Sequence, residues 1–292
     1  MAGPAENFQH LVSTEWLAAH LDDPELRVFD CTMRLIPDPE LVYRVENLRG
    51  HWAKGHIPGS GYIDLVADLS DRHTNLRFMF PPVRQAVESL ERLGVDDGSR
   101  VVLYSSNPDM QWATRVWWML RCLGFDNAAV LDGGLRKWAA EGRPLSVEPA
   151  AYPRGRLTAQ PRLHLMCDRN DVLASIEDRS RLVVNALSRE QHAGTGGVSF
   201  GRPGRITGSV NVPSRELIDP ATCALLPLEQ LRQRFDEVGA TRGREVVAYC
   251  GGGIAATVTM FVLTLLGHDK LRLYDASMQE WAVDDSLPME RG

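Results

Sequence analysis

The sequence has few cysteines, and they are not arranged as a framework. The 292 residues contain five, at Cys31, Cys122, Cys167, Cys223 and Cys250. An odd number of cysteines scattered over a chain of this length argues against a set of disulfides. No Cys-x-x-Cys pair or Cys/His cluster has the spacing of a zinc site, so we expect neither a metal nor another cofactor. Most of these thiols are therefore expected to be small buried side chains.

Charge of one sign and long apolar runs are also lacking. The formal net charge is −6 and the basic residues form no run, which argues against a nucleic-acid partner. The longest apolar stretch, residues 254–266, is too short to cross a bilayer. The first ten residues do not place a basic segment before an apolar one, so no secretory signal is expected. We therefore expect no membrane partner and a cytoplasmic location.

The most informative feature that is present is an internal repeat. Five segments recur in the same order in the two halves of the chain, and the separation between partners changes little along the sequence. The pairs are residues 28–31 and 182–185, 57–60 and 206–209, 82–90 and 227–235, 101–104 and 246–249, and 131–138 and 274–281. A repeat on this scale indicates two homologous domains.

The repeated unit predicts the fold class. Each copy alternates short apolar runs with amphipathic helical segments, which is typical of an α/β domain with a parallel sheet and helices on both faces. The runs at 101–104 and 246–249 are continuously apolar, as in strands buried on both faces. Residues 144–163 are rich in proline and predict a linker. The expected domains are therefore residues 1–143 and 164–292.

The two copies differ in the loop after the strand at 246–249. The second copy continues as Cys-Gly-Gly-Gly-Ile-Ala-Ala from Cys250, whereas the first copy has Ser105 in the place of the cysteine. Ligands of open α/β sheets bind beyond the carboxyl ends of the strands, which is where Cys250 lies. Three glycines let the backbone bend around the sulfur and direct N–H groups at it, and the dipole of the following helix favours the nucleophilic thiolate. Cys250 is therefore the predicted catalytic residue.

The rest of this loop is predicted to bind the substrate, because its N–H groups can stabilise negative charge. The residues concerned are Gly251, Gly252, Gly253, Ile254 and Ala255.

These features resemble the rhodanese superfamily. The resemblance rests on the tandem α/β domains, on Gly-His-Ile-Pro-Gly at residues 55–59 and on the Cys250 loop, and it covers nearly the whole chain. It is strongest to the tandem thiosulfate and 3-mercaptopyruvate sulfurtransferases, in which the first domain is catalytically silent. The resemblance implies two rhodanese-like domains and a sulfurtransferase that stores a sulfane sulfur as a Cys250 persulfide. The acceptor would be a thiol or cyanide, with a thioredoxin-like protein as one candidate.

Departures from the family pattern leave both donors, 3-mercaptopyruvate and thiosulfate, open. Gly251 fits the mercaptopyruvate branch, whereas Gly252 matches neither branch. The family usually has Asp-Ala-Arg after the preceding strand, with the arginine gripping the substrate anion, but residues 185–187 are Asn-Ala-Leu. The candidates to replace that arginine are Arg189 and, as weaker ones, Arg202 and Arg205.

Two other functions compete with this interpretation. A phosphatase of this fold needs an arginine at the end of the loop, where Ala256 stands, so that class is disfavoured. A non-catalytic persulfide carrier or partner-binding module, fed by another protein, remains an alternative because the usual arginine is missing. Fast turnover with a small donor would argue against a carrier.

Several conspicuous residues have simpler interpretations. Asp132 and Asp275 precede predicted helices and are expected to cap them. His56 is expected to be structural, and His192 to be a loop histidine rather than a base. The tryptophans recur at helical spacing and are expected to pack in the core or between the domains; they are Trp112, Trp117 and Trp118.

Overall fold

A computed structural model describes residues 9–150 and 152–292. Most of the first ten residues, on which the expectation about a secretory signal depends, lie outside these ranges. The strands are β1 (Leu11–Val12), β2 (Leu26–Asp30), β3 (Met33–Asp38), β4 (Val42–Asn47), β5 (Ser60–Tyr62), β6 (Arg100–Tyr104), β7 (Ala128–Leu131), β8 (Met166–Cys167), β9 (Arg181–Asn185), β10 (Arg205–Ile206), β11 (Val210–Asn211), β12 (Glu245–Tyr249), β13 (Leu271–Tyr274) and β14 (Met289–Glu290).

Eleven helices of α type occur in the same ranges. They are α1 (Thr14–His20), α2 (Arg49–Trp52), α3 (Leu65–Leu69), α4 (Val83–Arg92), α5 (Gln111–Cys122), α6 (Gly134–Ala140), α7 (Arg169–Glu177), α8 (Arg189–Ala193), α9 (Leu228–Glu237), α10 (Ala256–Leu265) and α11 (Ser277–Trp281). Short 3-10 turns cover Leu163–Leu165 and Ser214–Leu217. None of these helices is long and apolar enough to cross a membrane.

The two halves contain the same five-stranded parallel sheet. The first sheet has the order β1-β7-β6-β2-β5, and the second has the matching order β8-β13-β12-β9-β11. Every neighbouring pair in both sheets is parallel. The predicted fold of two tandem α/β domains is confirmed. The first domain adds an antiparallel hairpin, β3 with β4, and the second adds the short pair β10 with β14.

Helices α5 and α10 pack against each other between the two sheets. Residues of α10 from Ala256 to Leu263 are all buried, because one side faces its own sheet and the other side faces α5. The ring of Trp117 on α5 meets the edge of Phe261 on α10 at a centroid distance of 4.8 Å. The three tryptophans named above are fully buried, which confirms their predicted packing role.

The predicted linker follows the surface of the first domain. Its described residues up to 162 form no helix and no strand of a sheet, only an isolated bridge between Ser146 and His56. The hydroxyl of Tyr152 donates to the carbonyl of Gly59 at 2.5 Å. The exact domain boundaries remain a prediction.

Candidate active site

Cys250 directly follows β12, the middle strand of the second sheet, and precedes the first turn of α10. The neighbouring strand ends at the same edge, since the amide of Ala186 donates to the carbonyl of Tyr249 at 2.9 Å. The cysteine is 2% exposed. The structure therefore places Cys250 at the strand end where ligands of such sheets bind.

Ser277, at the start of α11, holds the Cys250 loop in shape. Its hydroxyl accepts hydrogen bonds from the amides of Cys250 (3.0 Å) and Gly253 (3.2 Å) and donates one to the carbonyl of Tyr274 (2.8 Å). The amide of Met278 donates to the carbonyl of Cys250 at 3.0 Å. The turn after β13 thus holds the loop through both Ser277 and Met278. The sequence alone did not identify Ser277 as part of the site.

The internal repeat could have revealed Ser277, because it aligns this serine with a glycine, Gly134, in the first domain. Gly134 is the equivalent residue of the first domain and has φ 53°, and Ser277 has almost the same φ of 54°. The following amide, of Leu135, donates to the carbonyl of Ser105 at 3.0 Å, as Met278 does to Cys250. A left-handed conformation costs a serine about 1–3 kcal/mol relative to a relaxed backbone. A strained serine in the place of a glycine marks a position where the hydroxyl is needed.

Four amides of the loop have no acceptor among the described residues of the protein. They belong to Gly251, Gly252, Ile254 and Ala255. The amide of Gly253, which was also predicted to face the substrate, is instead bound to Ser277. Free N–H groups at the start of a helix are suited to stabilise a thiolate or a persulfide anion.

Two glycines of the loop are required for different reasons. Gly253 has φ 74°, and a methyl group on it would lie 2.6 Å from the carbonyl oxygen of Asp275. A methyl group on Gly251 would lie 2.0 Å from the ring of Phe200, which packs against this glycine. Gly253 therefore provides the bend of the loop, and Gly251 lets an aromatic ring approach it.

A buried ion pair between the two domains contacts the Cys250 loop. Arg115 on α5 is fully buried and donates to Asp275 at 2.5 Å, to the carbonyl of Gly253 at 3.2 Å and to the carbonyl of Phe78. The second carboxylate oxygen of Asp275 accepts from the amide of Phe80 at 2.6 Å. The prediction that Asp275 caps a helix is therefore wrong, because its carboxylate is committed to the other domain.

The prediction for Asp132 is wrong for the same reason. Its carboxylate accepts from the amide of Leu225 in the second domain at 2.9 Å, and no side chain caps the helix that follows Asp132.

The three arginines considered as anion ligands are engaged elsewhere. Arg189 donates to both oxygens of Glu216, at 2.8 and 2.6 Å, and its side chain is 66% exposed. Arg202 donates to main-chain carbonyls at the end of α11 and in the segment after it, and Arg205 pairs with Glu290 at 2.9 Å. None of the three donates a hydrogen bond to residues 250–255.

Two cavities lie in the second domain. One of about 250 Å³ adjoins the Cys250 loop, because Phe200 and Met278 line it. Its wall also contains Leu187, Gln191 and one charged residue, Arg202. A larger cleft of about 410 Å³ contains Arg189 and Glu216 but none of residues 250–255. The smaller cavity is therefore the nearer of the two to the Cys250 loop, although Cys250 lines neither of them.

Three of the other cysteines, Cys31, Cys122 and Cys167, are unsuited to nucleophilic chemistry. All five cysteines are unpaired and buried. Burial raises the pKa of Cys31 well above its usual range and that of Cys122 and Cys167 to about 12. These three stay protonated at neutral pH, and the thiol is the unreactive form. Among the described residues no group of three or more His, Cys, Asp or Glu could hold a metal ion.

The two histidines considered above also have structural surroundings. His56 is buried, and its ring nitrogens lie 2.8 Å from the carbonyl of Trp52 and 3.0 Å from that of Glu148. His192 lies on α8 rather than in a loop, and burial lowers its pKa to about 4. It is therefore neutral at pH 7.

Fold and site together define a class of protein. The sequence profile described as "Rhodanese-like domain" matches residues 13–141 and again residues 170–284, so the chain belongs to that family. Thiosulfate/3-mercaptopyruvate sulfurtransferase 1, mitochondrial, of Arabidopsis thaliana is 31% identical over 96% of this chain and 78% of its own length. The sulfur carrier protein TtuD of Thermus thermophilus is 29% identical over 97% of this chain and 96% of its own length.

A solved structure is similar over almost the whole molecule. SseA from Escherichia coli, described as having the rhodanese fold of the 3-mercaptopyruvate sulfotransferases, superposes with a TM-score of 0.80 at 27% identity. The superposition covers 92% of this chain and 98% of SseA.

Proposed function

We propose that this chain is a sulfurtransferase that moves a sulfane sulfur from a small donor to an acceptor through a persulfide on Cys250. The observation that carries the proposal is the loop itself, in which Cys250 is followed by four amides with no acceptor among residues 9–150 and 152–292. The names of the similar proteins support 3-mercaptopyruvate or thiosulfate as donor.

The first half-reaction forms the persulfide. The Cys250 thiolate attacks the sulfane sulfur, a new S–S bond forms, and the bond from that sulfur to the donor breaks. From 3-mercaptopyruvate the C–S bond breaks and pyruvate leaves, its methyl group taking up the thiol proton. From thiosulfate the S–S bond breaks and sulfite leaves with the electron pair. The sulfur is thereby stored covalently, which divides one difficult transfer into two easier steps.

The second half-reaction returns the enzyme to its starting form. An acceptor thiolate or cyanide attacks the outer sulfur, and Cys250 leaves as a thiolate. The amides of Gly251, Gly252, Ile254 and Ala255 stabilise the anionic sulfur in both steps. Gly253 contributes the bend of the loop, because its amide is bound to Ser277.

Arg189 remains a predicted ligand of the donor. It would have to exchange its two bonds with Glu216 for bonds to the substrate. We also propose a cytoplasmic location, and a small thiol, a thioredoxin-like protein or cyanide as acceptor.

The proposal is tested by intact mass after brief exposure of the reduced protein to 3-mercaptopyruvate or, separately, thiosulfate. We expect a gain of one sulfur atom in the wild-type protein and in Cys223→Ser, which removes another buried cysteine, but none in Cys250→Ser. The donor that produces the gain identifies the branch. No gain with either donor would contradict the proposal.

A persulfide carrier fed by a partner protein is the second candidate. It is favoured by the similarity to a sulfur carrier protein and by the bonds of Arg202, the charged residue in the described wall of the cavity beside the loop, to main-chain carbonyls. A carrier would form the persulfide but turn over slowly with small donors. Steady-state release of pyruvate or sulfite in the presence of a thiol therefore separates the two functions.

A further inference from the structure

Arg215 occupies the carboxyl edge of the second sheet, two strands away from Cys250. The amide of Ala186 donates to the carbonyl of Tyr249, and the amide of Ser214 donates to the carbonyl of Ala186 at 3.0 Å. Two strand spacings amount to roughly 10 Å. An extended arginine side chain spans a large part of that distance, so the guanidinium of Arg215 can lie in front of the Cys250 loop.

The guanidinium of Arg215 has no bound partner among the described residues. No hydrogen bond or ion pair of its side chain occurs within residues 9–150 and 152–292, and the residue is exposed. Its neighbour Glu216 is already paired with Arg189 and Arg234. Arg215 therefore differs from the arginines at 189, 202 and 205, each of which is engaged with another group.

Two residues of the first domain lie close enough to Arg215 to be affected by its charge. Burial raises the pKa of Asp109 and of Tyr43, and the nearby charge of Arg215 opposes the rise in both. One carboxylate oxygen of Asp109 is enclosed and has no hydrogen-bond partner. Asp109 and Arg215 do not form an ion pair.

Tyr43 and Asp109 also lie near residues that contact the Cys250 loop. The ring of Tyr43 lies 6.1 Å from the ring of Phe200, which packs on Gly251. Asp109 lies two residues before Gln111, whose carbonyl is 3.5 Å from the hydroxyl of Thr257 in the first turn of α10. Arg215 thus lies at the same sheet edge as Cys250 and near residues of the first domain that pack beside the Cys250 loop.

We propose that Arg215 binds the anionic group of the sulfur donor, an inference that rests on the proposed function. The free amides of the loop can stabilise charge on the sulfur, but the donor also carries a carboxylate or a sulfonate-like group that needs a cation. A guanidinium is always charged and binds such groups through two parallel hydrogen bonds. Arg215 supplies this group without breaking an existing ion pair.

The test uses two alkylating reagents that differ in charge. Iodoacetate carries a carboxylate and iodoacetamide is its neutral counterpart, so the ratio of their rates at Cys250 reports on a cation beside the sulfur. Rates are measured on the full chain by peptide mass spectrometry, which separates Cys250 from the four other cysteines. Arg215→Gln is expected to lower the iodoacetate-to-iodoacetamide ratio by about ten- to a hundredfold, the range for a charge-assisted hydrogen bond.

The iodoacetamide rate serves as the internal control for folding and should change little in Arg215→Gln. Arg84→Gln removes the same charge from an exposed ion pair on α4 and should leave the ratio unchanged. The same measurement on Arg189→Gln and Arg77→Gln tests the competing arginines; Arg77 lies beside the loop through its main-chain bonds to Gln279.

The proposal is overturned if Arg215→Gln leaves the ratio unchanged, or if Arg189→Gln or Arg77→Gln lowers the ratio instead. It is also overturned if neither reagent reacts with Cys250, because a small anion would then not reach the sulfur. The readout needs no sulfur transfer. A protein whose reagent preference depends on Arg215 but which forms no persulfide would keep the anion site and lose the proposed function.

Discussion

At the scale of single residues, the first domain can be compared directly with the site around Cys250 in the second domain. Ser277 and Gly134 adopt the same left-handed backbone, yet only Ser277 has a hydroxyl to accept the amides of Cys250 and Gly253. The first domain has Ser105 in place of the cysteine and tolerates the glycine. We infer that Ser277 is a positioning residue that keeps the loop closed around the sulfur.

This inference predicts that Ser277→Ala and Ser277→Gly both slow persulfide formation by about tenfold or more, because two hydrogen bonds to the loop are lost. The two variants should differ in stability. Glycine relieves the strain at φ 54°, so Ser277→Gly should be about 1 kcal/mol more stable than Ser277→Ala. Stopped-flow rates and urea unfolding measure the two effects. Full activity in both variants would show that the hydroxyl is dispensable.

At the scale of elements, α8 shows how a short helix escapes sequence analysis. It spans Arg189–Ala193, begins with a capping box between Ser188 and Gln191, and ends at Gly194 with φ 71°. Five residues hold too little apolar periodicity to indicate a helix. The helix places Arg189 toward Glu216 and half-buries His192.

The burial of His192 predicts a pH dependence of stability. Its pKa is about 4 in the folded protein and 6.5 in an unfolded chain. Between these values the unfolded chain binds a proton that the folded protein does not, so the free energy of unfolding falls as the pH decreases from about 6.5 to about 4. His192→Gln should flatten this decrease in urea unfolding midpoints. The exposed His164 is the matched control, and His164→Gln should leave the decrease as it is.

At the scale of the whole molecule, the two domains hold each other through equivalent contacts of unequal strength. Asp132 accepts from the amide of Leu225, and Asp275 accepts from the amide of Phe80. Only Asp275 also binds a buried arginine, Arg115. The additional ion pair lies beside the Cys250 loop, since Arg115 also donates to the carbonyl of Gly253.

This asymmetry predicts unequal effects of the same substitution. Asp275→Ala leaves the Arg115 charge buried without its partner and should lower the free energy of unfolding by about 3–5 kcal/mol. Asp132→Ala removes only the acceptor of one amide and should cost about 1–3 kcal/mol. Denaturant unfolding of both variants measures the difference. Equal losses would mean that the ion pair contributes no more than the hydrogen bond.

The sequence by itself determined the duplication and the α/β class, and it predicted Cys250 as the reactive residue. These follow from local patterns: apolar runs of strand length, recurring turns, and one loop in which a cysteine precedes three glycines. The boundaries of short elements such as α8 did not follow, because their periodic signal is weak.

Only the tertiary structure decided how the site is held and which charges remain free. Arg115 and Asp275 are 160 residues apart in sequence and meet because α5 packs against the second domain. Ser277 reaches Cys250 from a neighbouring strand end. Within the part of the chain that the structure describes, Arg189 is paired with Glu216, whereas the side chain of Arg215 has no ion-pair partner. Such contacts depend on the packing of distant segments, and no local pattern in the sequence encodes them.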